Sequence, residues 1–334
     1  MPNIAVIILN WNGAKLLREF LPAVVANTDP ALARVIVADN GSDDDSLAVL
    51  KSEFPEVEVM AFDKNYGFAE GYNRAIKQVD SEFVILLNSD VAPAPGWIAP
   101  LSEYMTAHPD VAACQPKLLS YTVKTKFEYA GAAGGFLDCH GYPYCRGRIF
   151  ATCEEDHGQY DEPMPIFWAT GAALMVRREV YIEAGGLDAD FFAHMEEIDL
   201  CWRIHLMGWG IAAVPASVVY HLGGGSLPAS NPRKTYLNFR NNLLMMHKNL
   251  PDATRSRKLL TRRLLDTVAW AKAVATLDFK TASAIWRAHR DFAKMRVRYA
   301  SHPQADLLDG SQPDILVGYY LRGKRRFSQL SRKN

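Results

Sequence analysis

Three groups of polar residues stand where an apolar pattern does not ask for them. The run "FVILLNSDV" (83–91) has five apolar residues and then turns to Asn88, Ser89 and Asp90, with no basic residue in the stretch to pair with the carboxylate. Asp90 suits a divalent cation, Mg2+ or Mn2+, which takes one or two carboxylates and completes its shell with water and phosphate oxygens. Aspartate is also a good helix cap, so capping of the segment after Pro95 is the competing role. The second group is Glu196-Glu197 with Asp199, on a helix expected from about 195 to 207. On such a helix Glu196, Asp199 and Arg203 share a face and Glu197 points about 100° away. A glutamate beside the glycine turn and aromatics of "GGLDADFFAHM" can act as general base on a hydroxyl. Acidic residues in a first turn also complement the helix dipole, and Asp199 with Arg203 makes an ordinary i, i+4 pair. The third is His221, which closes a strand ahead of Gly223, Gly224, Gly225 and Ser226. It is either a further metal ligand or a plain exposed strand end.

The elements that must position these groups alternate. Strands are expected at 4–9, 34–39, 57–62, 83–88 and 111–116, with helices near 13–27, 45–53, 67–79 and 96–107. Continuous apolar strands separated by helices imply a largely parallel sheet covered on both faces, an α/β doubly wound arrangement. Ligands bind such sheets outside the carboxyl ends of the strands, so Asn10-Trp11-Asn12, Asp39-Asn40, Asp63 to Asn65 and Asn88-Ser89-Asp90 share one rim. Residues 117–165 lose the rhythm and read as an excursion of short antiparallel strands. A strand at 171–178, the helix at 195–207 and a strand pair over 210–221 follow. Beyond Pro232 the pattern is helical, at 233–249, 253–276 and 279–301.

Composition narrows the chemistry further. No P-loop is present and no G-x-G-x-x-G follows the first strand, so a glycine loop does not hold the phosphates. The 334 residues carry no net charge, yet residues 1–232 hold 15 basic and 30 acidic groups while 233–334 hold 22 and 7. A basic C-terminal region of this kind meets an anionic surface or forms a solvated helical face. It has neither aromatic-interleaved RNA motifs nor a DNA-binding helix signature, so no nucleic-acid partner is expected. Five cysteines without a CxxC pair fit a reducing compartment, and a zinc site among Cys139, Cys145, Cys153, His140 and His157 would lack the usual spacing. The N-terminus does not read as a signal peptide, and no apolar run reaches the roughly 20 residues that cross a bilayer. A cytoplasmic protein, peripheral on the inner face of the plasma membrane, is the expected setting.

Seven motifs in order carry a resemblance: "VIILNWNG", "VIVADNGSDDDS", "NYGFAEGYNRAI", "FVILLNSDV", "GAALMVRREVYIEAGGLDADFF", "MEEIDLCWR" and "VVYHLGGGS". Over about residues 3–250 the chain resembles the family 2 glycosyltransferases of the GT-A fold, and among them the bacterial rhamnosyltransferase-like subgroup. The resemblance implies that Asp39 meets the pyrimidine of a nucleotide sugar, with Trp11 near the base and Asn10 to Asn12 lining its pocket. It implies that Asn65, Gly67 and Asn73 border the nucleotide and donor sugar. Asn88-Ser89-Asp90 occupies the place of the D-x-D motif, with Asn88 for the first aspartate, which leaves Asp90 as the chief carboxylate ligand and His221 as the later histidine ligand. Glu197 falls on the catalytic-base position, where the family has Glu-Asp, ahead of Glu196.

The expectation is therefore a metal-dependent, inverting transferase that moves a hexose or deoxyhexose, rhamnose first among them, from a dTDP- or UDP-linked sugar to a glycan or lipid-linked acceptor. The expected layout is a GT-A catalytic domain at 1–232, with a nucleotide-sugar half at about 1–116 and an acceptor half at about 117–232, then a basic helical region at 233–334. In that region Leu259, Leu260, Leu264, Val268 and Trp270 lie among Arg257, Lys258, Arg262, Arg263 and Lys272. One face is expected to pack inward and the basic face to meet anionic lipid. A sugar nucleotidyltransferase and a non-catalytic nucleotide-sugar or glycan binder are the rival readings. The first would release pyrophosphate from a nucleoside triphosphate, and the second would bind without turnover.

Overall fold

The computed structural model describes residues 3–223, 231–299 and 303–330. The chain begins as β1 (Ile4–Asn10), α1 (Ala14–Asn27), β2 (Ala33–Asp39), α2 (Ser46–Glu53), β3 (Glu58–Ala61), α3 (Phe68–Gln78) and β4 (Phe83–Leu87), with the four strands parallel. β1 shows why both faces are covered. Ile4, Val6 and Ile8 enter one apolar layer with Leu17, Leu21 and Val24 of α1, and Ala5 and Ile7 enter the other with Tyr72, Ala75 and Ile76 of α3. A strand buried on both sides is apolar at every position, which is the pattern that the sequence displays.

After β4 come β5 (Val91–Pro93), α4 (Ile98–Ala107) and β6 (Val111–Ser120). α4 starts after Trp97 without a side-chain cap, and Asp90 instead sits between two strands, so the capping role is excluded. Residues 117–165 hold the expected excursion: β7 (Gly135–Leu137), β8 (Pro143–Cys145), β9 (Arg148–Ile149) and β10 (Thr152–Cys153) form a small antiparallel sheet, and β11 (Met164–Pro165) returns to the main one. There follow β12 (Ala173–Arg177), α5 (Arg178–Glu183), α6 (Glu196–Leu206) and β13 (Gly210–His221). The main sheet runs β11-β13-β6-β12-β4-β1-β2-β3, with β5 paired to the end of β13 and with β12 antiparallel between β4 and β6.

The expected strand pair over 210–221 is a single strand. β13 follows β6 in parallel throughout but slips register between Val214 and Val218, where Pro215 has no N–H for the ladder and Ser217 Oγ bonds Trp97 O at 2.6 Å.

α7 (Pro232–Asn249), α8 (Asp252–Ala275) and α9 (Phe279–Met295) complete the α-helices among the described residues. They dock on the turn between β7 and β8: Asn242 Nδ2 donates to Gly141 O at 2.7 Å, and the Arg262 guanidinium lies 3.6 Å from the Tyr142 ring centre while pairing with Asp266. The face of α8 differs from expectation. Leu259 and Arg262 are buried and Lys258 is tied to Asp306, whereas Leu260, Leu264 and Val268 point outward. Inward polarity is satisfied by ion pairs, and Leu260, Leu264 and Val268 are left outside. Among the described residues no helix is long and apolar enough to cross a membrane. Gly224, Gly225 and Ser226 lie outside the described residues.

Candidate active site

Parallel pairing places the ends of β1, β2 and β4 along one rim. Asn10 is buried; its Nδ2 donates to Ser42 Oγ at 3.3 Å, and its Oδ1 is buried without a partner among the described residues. Asn12 adopts a left-handed backbone (φ 51°) and exchanges side-chain and backbone bonds with Asp43, which turns the loop across the end of β2. Trp11 between them is 56% exposed, a free aromatic face at the rim. The Asp39 carboxylate, buried below, accepts from the backbone N–H of Ser42 at 3.1 Å.

Asn40, outside the expected site residues, organises the neighbouring loop. Its Nδ2 donates to Asn65 Oδ1 and to Gly67 O, both at 3.0 Å, and its Oδ1 accepts from Tyr66 N. Gly41 permits this approach: its φ is +71°, and a Cβ there would fall 2.4 Å from the Lys64 backbone. Asn65 and Gly67 are thus held beside Asn40 at the end of β2. Asn73 is different. Its Oδ1 accepts from Tyr181 Oη at 2.7 Å and Leu187 N at 2.9 Å, and its Nδ2 donates to Leu187 O. The amide is engaged in tying α3 to the loop ahead of the glutamates.

Asp90 and His221, 131 residues apart, are joined because β5 pairs with the last residues of β13, with Leu222 N donating to Asp90 O at 3.0 Å. His221 Nε2 lies 3.1 Å from Asp90 Oδ1, and its Nδ1 lies 3.4 Å from Glu128 Oε2, within ion-pair range but outside hydrogen-bond geometry. All three residues are buried. Burial by itself would lower the imidazole, but the two carboxylates outweigh it and hold His221 up at about 10. Gly223 completes the cluster: at φ +67° a Cβ would come within 2.8 Å of Glu128 Oε1. Carboxylate, imidazole and a second carboxylate behind the ring form the donor order of a carboxylate–histidine–metal site, so a divalent ion fits between Asp90 and His221 with Glu128 orienting the ring. Asn88 and Ser89, half-buried, precede Asp90, and Asn88 N donates to Ala172 O at 3.0 Å.

That bond links the cluster to the glutamates. Gly171, next to Ala172, is so close to Glu197 that a Cβ there would lie 3.6 Å from the Glu197 Cβ. Glu196 is buried and Glu197 is partly exposed, and each has one carboxylate oxygen buried without a partner among the described residues. Burial raises Glu197 to about 7. Burial, then the charges of Glu197 and Asp199, push Glu196 well above the usual carboxylate range. Glu197 alone of the pair combines a raised basicity with access from outside. Asp199 takes no part: it is fully buried and paired with Arg203 and Lys248, both at 2.9 Å, and Asn249 at 2.7 Å.

The loop that aims this pair is strained. Phe192, His194 and Met195 all have positive φ (66°, 68° and 73°), a conformation that costs on the order of 1–3 kcal/mol each and persists only where surroundings enforce it. Two adjacent residues of α7 enforce it. Asn241 Nδ2 donates to the carbonyls of Phe191, Ala193 and His194 at 2.7–2.9 Å, and the Arg240 guanidinium to those of Asp190 and Phe191. Sequence reasoning read "NFRNN" only as part of a basic helix. The available signal was an Asn pair in mid-helix, a poor choice for an exposed helical face. Glu128, in an irregular stretch, has no such signal.

Comparison with known proteins bears on the family and the fold. The family model described as "Glycosyl transferase family 2" matches residues 5–184, more than half of the chain. A curated relative, the N-acetylglucosaminyl-diphospho-decaprenol L-rhamnosyltransferase of Mycobacterium tuberculosis (strain ATCC 25618 / H37Rv), is 26% identical over 231 residues, covering 65% of this chain and 75% of its own. Among solved structures, the mannosyltransferase PcManGT from Pyrobaculum calidifontis in complex with GDP-Man and Mn2+ superposes with a TM-score of 0.52 at 17% identity, over 89% of this chain and 84% of that one. GalNAc-T7 with UDP, GalNAc and Mn2+ gives a TM-score of 0.57 at 16% identity over 75% of this chain, which spans about half (49%) of that longer protein. At such identities the two structures share the fold.

Proposed function

We propose a function from one premise: the chain belongs to glycosyl transferase family 2 and has the GT-A fold. It is an inverting transferase that moves a hexose or deoxyhexose, rhamnose by preference, from a dTDP- or UDP-linked donor to a hydroxyl of a glycan or lipid-linked acceptor. The observation that carries this reading is the Asp90–His221–Glu128 cluster, connected to Glu197 by the short chain of neighbours Asn88, Ala172 and Gly171. The sugar and acceptor classes are supported by the mycobacterial relative, which is named for transfer of L-rhamnose to N-acetylglucosaminyl-diphospho-decaprenol.

In the reaction the Glu197 carboxylate takes the acceptor proton while the hydroxyl oxygen bonds to the anomeric carbon. The bond from that carbon to the diphosphate breaks on the opposite face, and the diphosphate leaves with the electron pair. A bound Mg2+ or Mn2+, held by Asp90 and His221, would supply positive charge to the diphosphate. Glu128 keeps the His221 ring turned toward Asp90. Asp39, Asn10 and Asn12 line the base with Trp11 as its lid, Asn65 and Gly67 follow the ribose and diphosphate, and Asn88 and Ser89 approach the sugar. Positioning by these groups provides much of the rate.

A thermal-shift screen of nucleotide sugars with Mg2+ or Mn2+ tests the reading. A donor at about 100 times its dissociation constant adds roughly 2.7 kcal/mol of stability, and the dTDP-deoxyhexose is expected to give the largest shift and an inverted product on a lipid-linked saccharide. Pyrophosphate release from a nucleoside triphosphate, or binding with no product on any acceptor, would replace it with one of the rivals.

The acceptor class fits the outer face of α8 and α9. Leu260, Leu264 and Val268 follow at i, i+4 and i+8, each at least 60% exposed, and Leu277, Phe279 and Trp286 are also exposed. Arg257, Arg263, Lys272, Lys280 and Arg287 are exposed among them. Apolar residues flanked by cations suit an anionic lipid surface, where each cation contributes about 1 kcal/mol at low salt. The protein is expected to sediment with anionic vesicles at low salt and to be partly released at high salt, with Leu264→Glu/Val268→Glu reducing both. Absence of lipid-dependent pelleting at low salt would remove the membrane from this reading.

A further inference from the structure

The turn between β7 and β8 holds Cys139 and His140 side by side. The turn is built on Asp138, fully buried, whose Oδ1 accepts from the N–H of His140 at 2.9 Å and of Tyr142 at 2.7 Å. A second segment, near the C-terminus, is zipped to it: Cys139 N donates to Pro313 O at 3.2 Å, and Ile315 N to Asp138 Oδ2 at 3.4 Å. Between those two bonds Asp314 faces the pair, its Oδ1 fixed by Val317 N at 2.9 Å and its Oδ2 3.3 Å from His140 Nε2. The thiol, imidazole and carboxylate donor atoms all lie within 4.8 Å of one another, and all three residues are partly exposed.

We infer that Cys139, His140 and Asp314 bind a zinc ion that clips the C-terminal segment to the small sheet. Bonds of 2.0–2.3 Å in a tetrahedral shell put donors roughly 3.3–3.6 Å apart. The His140–Asp314 contact already has this spacing, whereas it is long for a charge-assisted hydrogen bond, which runs to about 2.7–2.9 Å. A thiolate beside an imidazole selects zinc over magnesium or manganese, which favour oxygen shells. The exposure of the three residues leaves the fourth position to water and gives the ion an entry path. Folding spans the 174 residues between His140 and Asp314, so the ion links two segments that the chain itself connects only distantly. The site shares no residue with the Asp90–His221–Glu128 cluster, which has no sulfur donor, and it does not depend on the proposed transferase activity.

Cobalt, which substitutes for zinc and reports thiolate ligation by a near-ultraviolet charge-transfer band, tests the site in the full chain after chelator treatment. Titration is expected to develop the band at about one equivalent, with zinc displacing it and raising the melting temperature. Cys139→Ser should abolish the band, and His140→Ala and Asp314→Asn should each weaken cobalt binding at least about tenfold. Cys153→Ser and Asp90→Ala should leave it in place. The proposal is overturned by a wild-type chain without a thiolate band at stoichiometric cobalt, or by a band that survives in Cys139→Ser. Should Cys139→Ser not fold, Asp314→Asn decides: unchanged cobalt affinity in that variant also overturns the site.

Discussion

Glu197→Gln is expected to lower transfer by about 10²–10⁴-fold, the range of a lost general base, while donor binding stays within a few fold of wild type. The substitution keeps the side-chain length and its contact with Gly171, so the carboxylate's proton affinity is what disappears. The wild-type pH profile carries the same information. A base works only when unprotonated, and burial holds the Glu197 proton on up to about 7. kcat/KM should therefore fall about tenfold per pH unit below 7 and level off above it. Glu197→Gln should lose that acidic limb along with the activity. Glu196→Gln is the control, because burial already favours the neutral form of Glu196 and an amide resembles it. It should retain more than about a tenth of the wild-type rate. Wild-type turnover by Glu197→Gln, or loss of turnover only in Glu196→Gln, would move the base to another residue.

Asp90→Ala is the second large effect. Removing a residue that merely orients a metal ligand costs about 10–100-fold in metal affinity, so removing the carboxylate ligand itself should cost at least about 100-fold. Titration of nucleotide diphosphate by calorimetry, with and without Mn2+, is expected to show metal-dependent binding in wild type and only the weak metal-independent part in Asp90→Ala. Glu128→Gln, which meets His221 at its far nitrogen and not at the side facing Asp90, should fall between the two. The variants also differ in the absence of metal. Each loses one of the two carboxylates that raise His221, so the imidazole titrates nearer its ordinary value and proton competition for the site weakens. Equal metal-dependent binding by wild type and Asp90→Ala would remove Asp90 from the cation site.

Much of the rim was legible before any coordinates. Local periodicity distinguishes a strand buried on both faces from an amphipathic helix, and polar residues at the strand ends mark where ligands meet a parallel sheet. β1 to β4 and their helices accordingly fall within a few residues of expectation. Of the C-terminal helices, α7 and α8 were equally plain in extent, whereas α9 ends at Met295, short of the expected 301, and the direction of α8 was not legible. A helix with Leu259 and Leu260 adjacent has two apolar faces on paper, and only the partners of Arg262 and Lys258, Asp266 and Asp306, decide which one turns inward.

By itself the chain's order of residues determined the α/β class, the rim, and the candidacy of Asp39, Asp90, Glu196, Glu197 and His221, because each rests on patterns a few residues long. Tertiary structure alone brought Glu128 behind His221, set Arg240 and Asn241 under the loop that aims the glutamates, tied Asn73 to Leu187, and gathered Cys139, His140 and Asp314. These are hydrogen bonds and ion pairs between distant segments. Whether a polar atom is satisfied inside the chain or left for a ligand depends on neighbours that local sequence does not encode.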